Sequence, residues 1–442
     1  LDAYSALLAT HGINPYLSDL SRAFAQYNTP IEYLTPTLNG GYVTALNYPA
    51  LSFLIYVPIV ASGIDPYAVL IPLYLLPLGL LAYTYRRESN ISTIAAASVI
   101  MLNSGYLAQL TLGFWDILWV MLSALSIISY RRPLVSGLIF GVALALKQTP
   151  VFLAPFILIW IYQNERIRAA SLWVLGTVAT FLAFNGYYIL TGASSYISGV
   201  LLPISGKIFG IGFGPSQISF LGYYFLPPEF FTAVMIVMAA LSILLFTFFT
   251  KSSGLMPVAL FPLIIFFFNY RLILEYVIYW PIIALLVLPK ISEHGSVKSK
   301  SEAAQAVVRV NAKKAIIATL AAAFVISAIA VPVFQHPYEM KVSGPAVALG
   351  PNSTLINNMS MDVYFLSNLS YHGVIYLRII TGPPLKNENG AIWESNNLSL
   401  SGSGKHQITF HATLGPYSIP PGTYRGVLYN NTILGAGTFQ VY

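Results

Sequence analysis

Acidic and basic side chains are sparse in this sequence, and those beside apolar runs have the chemistry to move a proton or hold an anion. The acids predicted at the outer boundary of these runs are Asp2, Asp19, Glu32, Asp65, Asp116, Glu229 and Glu275. The cations predicted at the same outer boundary are Arg22, Lys147, Lys207 and Arg271. A carboxylate can take the proton of an acceptor hydroxyl, and a cation can hold a departing phosphate. Together these two types are what transfer from a phosphate-bearing donor requires.

Asp2 is the first candidate catalytic residue, in the role of general base. It begins a short apolar segment that Gly12 and Asn14-Pro15 close, which predicts a surface helix with the carboxylate at its start. The alternative is a plain helix N-cap, which contributes about 1 kcal/mol to stability. His11 in the same segment is predicted to be a surface residue.

Four more side chains belong to the candidate site. Asp116 begins an apolar segment and is the second candidate catalytic acid, with an N-cap as the alternative. Lys147 ends an apolar, glycine-containing run, and either binds a donor phosphate or snorkels to the membrane surface. Arg271 is a candidate phosphate ligand or the ion-pair partner of Glu275, four residues later. Lys207 is a candidate phosphate ligand in a glycine-rich stretch, whose alternative role is chain mobility.

The sequence shows no metal-binding motif, and it identifies no cofactor besides the donor substrate, a polyprenyl-phosphate sugar. It contains no cysteine, so disulfides, thiolate metal sites and cysteine nucleophiles are excluded. No group of His, Asp and Glu has metal-ligand spacing, and no nucleotide-binding loop of the Gly-x4-Gly-Lys-Ser/Thr type is present. Whether the predicted reaction uses a divalent metal stays open.

Composition indicates the elements that must position these residues. The chain has 442 residues, of which 56% are hydrophobic and 8% are charged, and this balance is typical of polytopic α-helical membrane proteins. About ten membrane-spanning helices are therefore expected. They are predicted at Tyr67–Tyr85, Ile91–Ala108, Ile117–Tyr130, Leu134–Leu146, Val151–Tyr162, Ala169–Leu190, Phe230–Thr250, Leu255–Tyr270, Leu272–Leu288 and Ala315–Phe334.

Basic clusters predict the orientation of these spans. The net charge of +7 arises largely from arginines and lysines in short groups between apolar runs, so nucleic acid is not expected as a partner. The clusters are Arg86-Arg87, Arg131-Arg132, Arg166 with Arg168, Lys251, and the loop that contains Lys290, Lys298, Lys300, Arg309, Lys313 and Lys314. All five fall on the cytoplasmic side if ten spans alternate. Residues 1–66 then lie outside the cytoplasm, with Leu51–Gly63 as a re-entrant or interfacial segment.

The last hundred residues have a different composition. Short alternating runs separated by Gly, Pro, Asn and Ser predict an antiparallel β-sandwich. The stretch 419–424 resembles the turn and late strand of immunoglobulin-like modules. Five N-glycosylation sequons predict an extracytoplasmic surface, at Asn352, Asn358, Asn368, Asn397 and Asn430.

The first residues also resemble a known family. The C-type (GT-C) integral membrane glycosyltransferases have an acid- and Tyr-containing helix that runs into Gly-x-Asn-Pro-Tyr, with a later Tyr-Pro. The matching residues here are Asp2, Tyr4, Gly12, Asn14, Pro15, Tyr16, Tyr48 and Pro49. The family has a membrane helix before the acid and this sequence shows none, so either that span is missing or the resemblance is partial. The resemblance covers about two thirds of the chain and implies a polyprenyl-phosphate sugar as donor, Asp2 and Asp116 as acids, and Lys147 as a phosphate ligand.

Together these observations predict three regions: an outer juxtamembrane segment at 1–66, a helical membrane domain at 67–334 and an extracytoplasmic β-sandwich at 335–442. The first functional hypothesis is an inverting membrane hexosyltransferase that acts outside the cytoplasm, with membrane lipids and a lipid-linked sugar as partners. The alternative is a non-enzymatic, glycosylated membrane subunit that anchors the β-domain in a cell-surface or membrane complex.

Overall fold

The computed structural model describes residues 1–29, 34–65, 76, 79–80, 98, 116–204, 208–209, 214–220, 226–249, 255–272, 276, 279–287, 321, 325, 338–349, 355–380, 391–413 and 417–442. The described chain forms two compact units. The first contains Leu1–Leu20, Ala45–Leu201 and Thr232–Ala328, and is helical. The second contains Ser21–Thr44, Leu202–Phe231 and Ile329–Tyr442, and holds the β-strands.

The helices of the described residues differ widely in length. They are α1 (Asp2–Thr10), α2 (Arg22–Gln26), α3 (Leu51–Leu54), α4 (Val57–Ala61), α5 (Asp116–Ile128), α6 (Pro133–Leu146), α7 (Ala154–Val200), α8 (Gln217–Phe220), α9 (Pro228–Phe249) and α10 (Met256–Phe267). Short 3₁₀ turns lie at Pro15–Leu17, Thr149–Leu153 and Leu202–Ile204.

The first helix ends where the sequence predicts. Gly12 has a left-handed backbone with φ of +73°, and its N–H donates to the carbonyl of Ala9 at 3.0 Å. The N–H of Ile13 donates to the carbonyl of Leu8 at 3.0 Å. These two bonds form a Schellman motif, in which glycine is favoured because its backbone adopts positive φ without a Cβ clash. The prediction of a helix that stops at Gly12 is confirmed.

Helices α6 and α7 pack through small residues. A Cβ added to Gly137 on α6 would lie 2.1 Å from the carbonyl oxygen of Trp173 on α7. A Cβ added to Gly176 on α7 would lie 2.7 Å from the carbonyl oxygen of Leu134 on α6. The backbones of α6 and α7 are therefore closer than any larger residue allows at these two positions. At the same end of the unit, the indole of Trp173 donates to Oγ of Ser136 at 3.1 Å.

The chain of α7 bends at two residues whose backbone is not helical. Arg166 has φ of 69° and ψ of −178°, and Gly192 has φ of −167° and ψ of 53°. The conformation of Arg166 is one that non-glycine residues rarely adopt. The break at Arg166 falls within the basic cluster formed by Arg166 and Arg168.

The predicted fold of about ten spans is wrong. Across the parts of the chain that the structure describes, two helical stretches are long and apolar enough to cross a membrane, Thr149–Val200 and Pro228–Phe248. Helices α5 and α6, each predicted as a span, have 13 and 14 residues, short of the about 20 that cross a bilayer. Two further predicted spans, Val151–Tyr162 and Ala169–Leu190, lie within the single helical stretch Thr149–Val200. The apolar runs that α5, α6, α7, α9 and α10 cover are helical as predicted, but hydropathy does not separate a short core helix from a span.

Several predicted segments cannot be compared with the structure. The predicted spans Ile91–Ala108 and Ala315–Phe334 lie almost wholly outside the described residues, as does most of Tyr67–Tyr85. The segment predicted as re-entrant, Leu51–Gly63, contains α3 and α4, which are separated at Ile55–Tyr56. Its position relative to a membrane stays a prediction.

The second unit contains a closed barrel of seven strands. The described strands are β1 (Met340–Leu349), β2 (Leu355–Ile356), β3 (Asn358–Gly373), β4 (Tyr376–Ile380), β5 (Ala391–Ser395), β6 (Leu398–Ala412), β7 (Tyr417–Ser418), β8 (Gly422–Asn430) and β9 (Thr432–Val441). Around the barrel the order is β1, β3, β6, β5, β4, β8 and β9, and β2 pairs with β7 separately. Every pairing is antiparallel except the closing one between β1 and β9, which is parallel.

The predicted immunoglobulin-like β-sandwich is therefore wrong, because the sheet closes on itself. Two glycines of β9 allow this closure. A Cβ added to Gly435 would lie 1.9 Å from the carbonyl oxygen of Met340, and one added to Gly437 would lie 1.8 Å from that of Val342. The alternating runs correctly indicated strands, but alternation is shared by sandwiches and barrels.

Candidate functional site

The centre of the candidate site is a buried ion pair at one end of the α5–α6 hairpin. Nζ of Lys147 lies 2.5 Å from Oδ1 of Asp116, and each side chain is 6% exposed. Asp116 is the first residue of α5, and Lys147 follows the last residue of α6. A carboxylate is favoured at a helix N-terminus and an ammonium group at a C-terminus, so both helix dipoles stabilise the pair.

The two carboxylate oxygens of Asp116 have different surroundings. Oδ1 accepts from Lys147 and from the indole Nε1 of Trp119, the latter at 3.1 Å. Oδ2 is buried and has no hydrogen-bond partner among the described residues. A buried carboxylate oxygen without a donor is costly, so Oδ2 marks a position where a ligand could supply one.

Two aromatic rings flank the ammonium group of Lys147. Nζ lies 5.2 Å from the ring centroid of Tyr48 and 5.4 Å from that of Tyr276. Both distances are within the range of cation–π attraction. The rings and Asp116 together hold the lysine side chain inside the unit.

Asp2 joins this group from α1. Its carboxylate does not cap its own helix, because α1 has no side-chain cap; instead Oγ of Ser52 donates to Oδ1 of Asp2 at 3.1 Å. Burial raises the pKa of Asp2 above its ordinary value. The charge of the amino group of Leu1, the hydrogen bond from Ser52 and the charge of Lys147 oppose that rise. Asp2 is close enough to Lys147 and Asp116 for both charges to act on its pKa. Three of the residues selected from the sequence thus converge in one place.

Residues 46–54 carry Tyr48 and Ser52 into the site, and hydrogen bonds from three other parts of the unit hold this segment. Oδ1 of Asn185, which is fully buried on α7, accepts the backbone N–H of Ala50 at 2.7 Å. The hydroxyl of Tyr16 donates to the carbonyl of Tyr48 at 2.6 Å. Nε2 of Gln148 donates to the carbonyl of Asn47 at 3.2 Å.

An aromatic cluster supports the same segment. The ring of Tyr16 lies 6.2 Å from that of Phe53, 5.6 Å from that of Tyr188 and 4.8 Å from that of Tyr196. The hydroxyl of Tyr196 donates to Oδ1 of Asn185 at 2.8 Å. The aromatic cluster is therefore linked to the same oxygen that accepts the backbone N–H of Ala50. Rigid support of this kind keeps reacting groups in place.

The remaining predicted phosphate ligands are placed differently. Arg271 is buried, and its backbone N–H points at Oδ1 of Asn269 at 3.4 Å. Its role in binding phosphate stays a prediction. Lys207 and Glu275 lie outside the described residues, so the proposed ion pair between Arg271 and Glu275 is not described either.

The predicted glycosylation sites have unequal surroundings. Asn368 and Asn397 are exposed. Nδ2 of Asn430 donates to the hydroxyl of Tyr371 at 2.9 Å, and Oδ1 of Asn358 lies 2.8 Å from Nδ1 of His411. Asn352 lies outside the described residues.

Sequence reasoning missed three polar members of the site. Ser52, Trp119 and Gln148 belong to no motif, and they contact the site only because the chain folds. The i to i+3 spacing of Asp116 and Trp119 at a helix start was a usable signal. Among the residues that the structure describes, no group of three or more metal-ligating side chains forms.

Comparison with known proteins identifies no family for this chain. No protein-family model matches it, and no curated protein matches it. The predicted membership of the C-type membrane glycosyltransferases is wrong: no family model supports it, the described helices include two candidate spans, and the C-terminal strands close into a barrel.

A solved structure can be aligned with most of this chain. It is the Pseudomonas fluorescens alkylpurine DNA glycosylase AlkC bound to DNA containing an abasic site analog. The similarity covers 85% of this chain and 99% of that chain, at 11% identity and a TM-score of 0.22. A TM-score this low supports no conclusion about the fold or the ligand of this chain. The expectation that nucleic acid is not a partner stays a prediction.

Proposed function

We propose that this chain is a transferase that moves a hexose from a polyprenyl-phosphate donor to an acceptor hydroxyl. The proposal depends on the chemistry of the site and on no family membership. The observation that carries it is the convergence of Asp2, Asp116 and Lys147, two carboxylates and a cation, in a buried part of the helical unit.

Each charged group has a role in the proposed reaction. Asp2 accepts the proton of the acceptor hydroxyl while the hydroxyl oxygen bonds to C1 of the hexose. The bond between C1 and the phosphate oxygen breaks with inversion, and the phosphate leaves with the bonding electrons. Lys147 binds the phosphate oxygens and stabilises the charge that develops on them.

The ion pair is compatible with phosphate binding. Lys147 is held in place by Asp116 and by two rings, so little side-chain entropy is lost when an anion approaches. Asp116 keeps the lysine charged in a buried position while no anion is bound. A phosphate then takes a position beside an ammonium group that is already oriented.

A lipid-linked donor fits the apolar surface of the unit. The candidate span Thr149–Val200 exposes Leu190 by 88%, and the candidate span Pro228–Phe248 exposes Phe248 by 70%. Apolar helices that expose large aliphatic and aromatic side chains are suited to lipid contact. We place the site at the extracytoplasmic face, with membrane lipids and the lipid-linked sugar as partners.

The test is transfer by the purified full chain. A short-chain polyprenyl-phosphate hexose is the donor, and lipid and peptide hydroxyls are the acceptors. Asp2→Asn should lower the rate about 10²- to 10⁴-fold, which is the usual contribution of a general base. Lys147→Met should weaken donor binding, and it is assayed at a temperature where it is fully folded because it also leaves Asp116 without its counter-ion. Glu165→Gln, an exposed carboxylate on α7, is the matched control and should leave the rate unchanged. A wild-type rate for Asp2→Asn contradicts the assignment of the base.

A non-enzymatic membrane subunit is the second candidate function. The observation that favours it is the direct pairing of Lys147 with Asp116, since a static ion pair between two helix ends can serve stability alone. In that case the double variant Asp116→Leu with Lys147→Met should keep the fold and most of the stability of the wild-type chain. Failure to bind or turn over any lipid-phosphate sugar, together with this result, supports the subunit.

A further inference from the structure

We infer that Oδ2 of Asp116 and Oε1 of Gln148 accept hydrogen bonds from two hydroxyls of the hexose ring, and so select a polyhydroxylated ligand. This inference rests on the proposed function, because it assigns the sugar-binding part of the same site. It concerns two oxygens that have no hydrogen-bond partner among the described residues, and it is separate from phosphate binding.

Both oxygens are acceptors that the protein leaves unsatisfied. Asp116 directs Oδ1 to Lys147 and Trp119, and its Oδ2 is buried with no partner among the described residues. Gln148 directs Nε2 to the carbonyl of Asn47, which fixes the orientation of its amide. Its Oε1 is then buried, also with no donor from the described part of the chain.

Two acceptors without donors lie in the same part of the unit. Lys147, which binds Asp116, is adjacent in sequence to Gln148. The ammonium group of Lys147 lies near the ring of Tyr48, and the amide of Gln148 reaches the carbonyl of Asn47, the residue before Tyr48. Residues 147–148 therefore lie against residues 47–48. The two acceptors belong to Gln148 itself and to Asp116, the ion-pair partner of Lys147.

The chemistry of the acceptors determines the class of ligand. A phosphate dianion has oxygens that accept hydrogen bonds and none that donate, so it cannot satisfy Asp116 Oδ2 or Gln148 Oε1. Hydroxyl groups donate, and a hexose carries several on adjacent carbons. Carboxylate and amide oxygens at fixed positions then discriminate between sugars by the placement of their hydroxyls, because a missing hydroxyl leaves a buried acceptor unpaired.

The experiment combines deletion of a ligand hydroxyl with substitution of a protein side chain. The purified full chain is titrated with methyl hexopyranosides and with their monodeoxy analogues, and binding is measured by calorimetry. In parallel, transfer is measured from polyprenyl-phosphate hexose and from its deoxy analogues. Gln148→Met removes Oε1 and keeps the length of the side chain. Asp116→Asn keeps Oδ1 for Lys147 and places a donor at the other position.

The chain offers a matched control in Gln163 on α7. Its Nε2 donates to the carbonyl of Thr247 at 2.9 Å, and its Oε1 is buried without a partner among the described residues. Gln163→Met makes the same chemical change as Gln148→Met. It affects the packing of α7 on α9 instead of the Asp116–Lys147 pair.

We expect one deoxy analogue to bind about ten- to a hundredfold more weakly than its parent sugar to the wild-type chain. Loss of the same hydroxyl should not weaken binding to the Gln148→Met variant. Loss of a different hydroxyl should not weaken binding to Asp116→Asn. Gln163→Met should discriminate like the wild type. Equal discrimination in all four proteins, or binding of phosphate alone with no sugar, overturns the inference.

The outcomes also separate this inference from the proposed function. Sugar binding that depends on Gln148, with no transfer from any donor, supports the inference and contradicts the transferase. If transfer occurs at the same rate in Gln148→Met and with every deoxy analogue, the transferase is supported and this inference is contradicted.

Discussion

Asp116 and Lys147, which are 31 positions apart in sequence, pair at the one end of the α5–α6 hairpin where a helix begins and a helix ends. The hairpin places a helix N-terminus beside a carboxylate and a helix C-terminus beside an ammonium group. Asp2 and Ser52 approach the same point from a separate part of the unit. A charged group is thus built into the buried interior of the helical unit, and the buried indole of Trp119 donates to it.

The ion pair predicts a specific pattern of stability changes. Lys147→Met alone should lower the free energy of unfolding by about 3 to 5 kcal/mol, because it leaves the Asp116 carboxylate buried without its counter-ion. Adding Asp116→Leu should restore most of this loss, because two apolar side chains then replace the pair. Denaturant unfolding of the single and double variants measures the difference. A double variant that is as unstable as the sum of both singles contradicts this account.

The pKa of Asp2 predicts a dependence on pH. Burial raises this pKa above 3.8, so the folded protein holds the proton more tightly than the unfolded chain does. The contribution of Asp2 to stability is therefore fully present below pH 3.8 and is lost as the pH rises through the raised value. Wild type should lose stability relative to Asp2→Asn across that interval, as measured by thermal unfolding at successive pH values.

The same shift bears on the proposed reaction. A general base must be ionised, so transfer should fall on the acid side with an apparent pKa above 3.8. The residual activity of Asp2→Asn should lack that acid limb. If the transfer rate falls at low pH in the same way in both proteins, a group other than Asp2 causes the fall.

The hydrogen bond from the backbone N–H of Ala50 to Asn185 predicts that Asn185, which lies outside the charged group, affects the activity of the site. Asn185→Leu removes the acceptor of the Ala50 N–H and of the Tyr196 hydroxyl, and should cost about 2 to 4 kcal/mol of stability. Tyr16→Phe removes one hydrogen bond to the carbonyl of Tyr48 and should cost about 1 kcal/mol. In stabilised preparations both variants should still lower the transfer rate, because residues 46–54 carry Ser52 and Tyr48. An unchanged transfer rate would show that residues 46–54 are not needed to position the reacting groups.

The sequence identified individual charged residues better than it identified their relationships. Asp2, Asp116 and Lys147 were selected because each stands at the edge of an apolar run. Their convergence depends on how α5 and α6 pair and on the segment at 46–54, and no local pattern encodes that. Gln148 was seen only as part of a join between two helices, because a neutral amide has no distinctive spacing.

The fold was harder to predict than the helices and strands themselves. Apolar runs indicated helices but not whether each was a span or a core helix, since both bury apolar side chains. In the second unit, alternation indicated strands but not the parallel pairing that joins β1 to β9. The run Gly435-Ala436-Gly437 was a signal for close backbone approach, and it could have favoured a closed sheet.

Barrel closure predicts a large effect of adding one methyl group. Gly435→Ala and Gly437→Ala should each destabilise the second unit by about 3 kcal/mol, because the new Cβ meets a carbonyl oxygen of β1. Gly422→Ala is the control, since its nearest side-chain atom would be 3.6 Å away and the change should be near neutral. Circular dichroism and thermal unfolding of the three variants measure this. Equal stability of all three variants contradicts the close parallel pairing of β1 with β9.

The glycosylation sequons predict unequal occupancy, given an extracytoplasmic second unit. A glycan is attached through Nδ2 of asparagine. Asn368, beside a bulge of β3, and Asn397, between β5 and β6, present this atom on exposed side chains. Nδ2 of Asn430 is instead bonded to Tyr371, and a glycan there would break that bond. We therefore expect higher occupancy at Asn368 and Asn397 than at Asn430.

Mass spectrometry of glycopeptides from the native host measures this occupancy. Tyr371→Phe is the informative variant, because it frees the Asn430 amide without altering the sequon, and it should raise occupancy at Asn430 alone. Full occupancy of Asn430 in the wild-type chain would show that its bond to Tyr371 does not protect it.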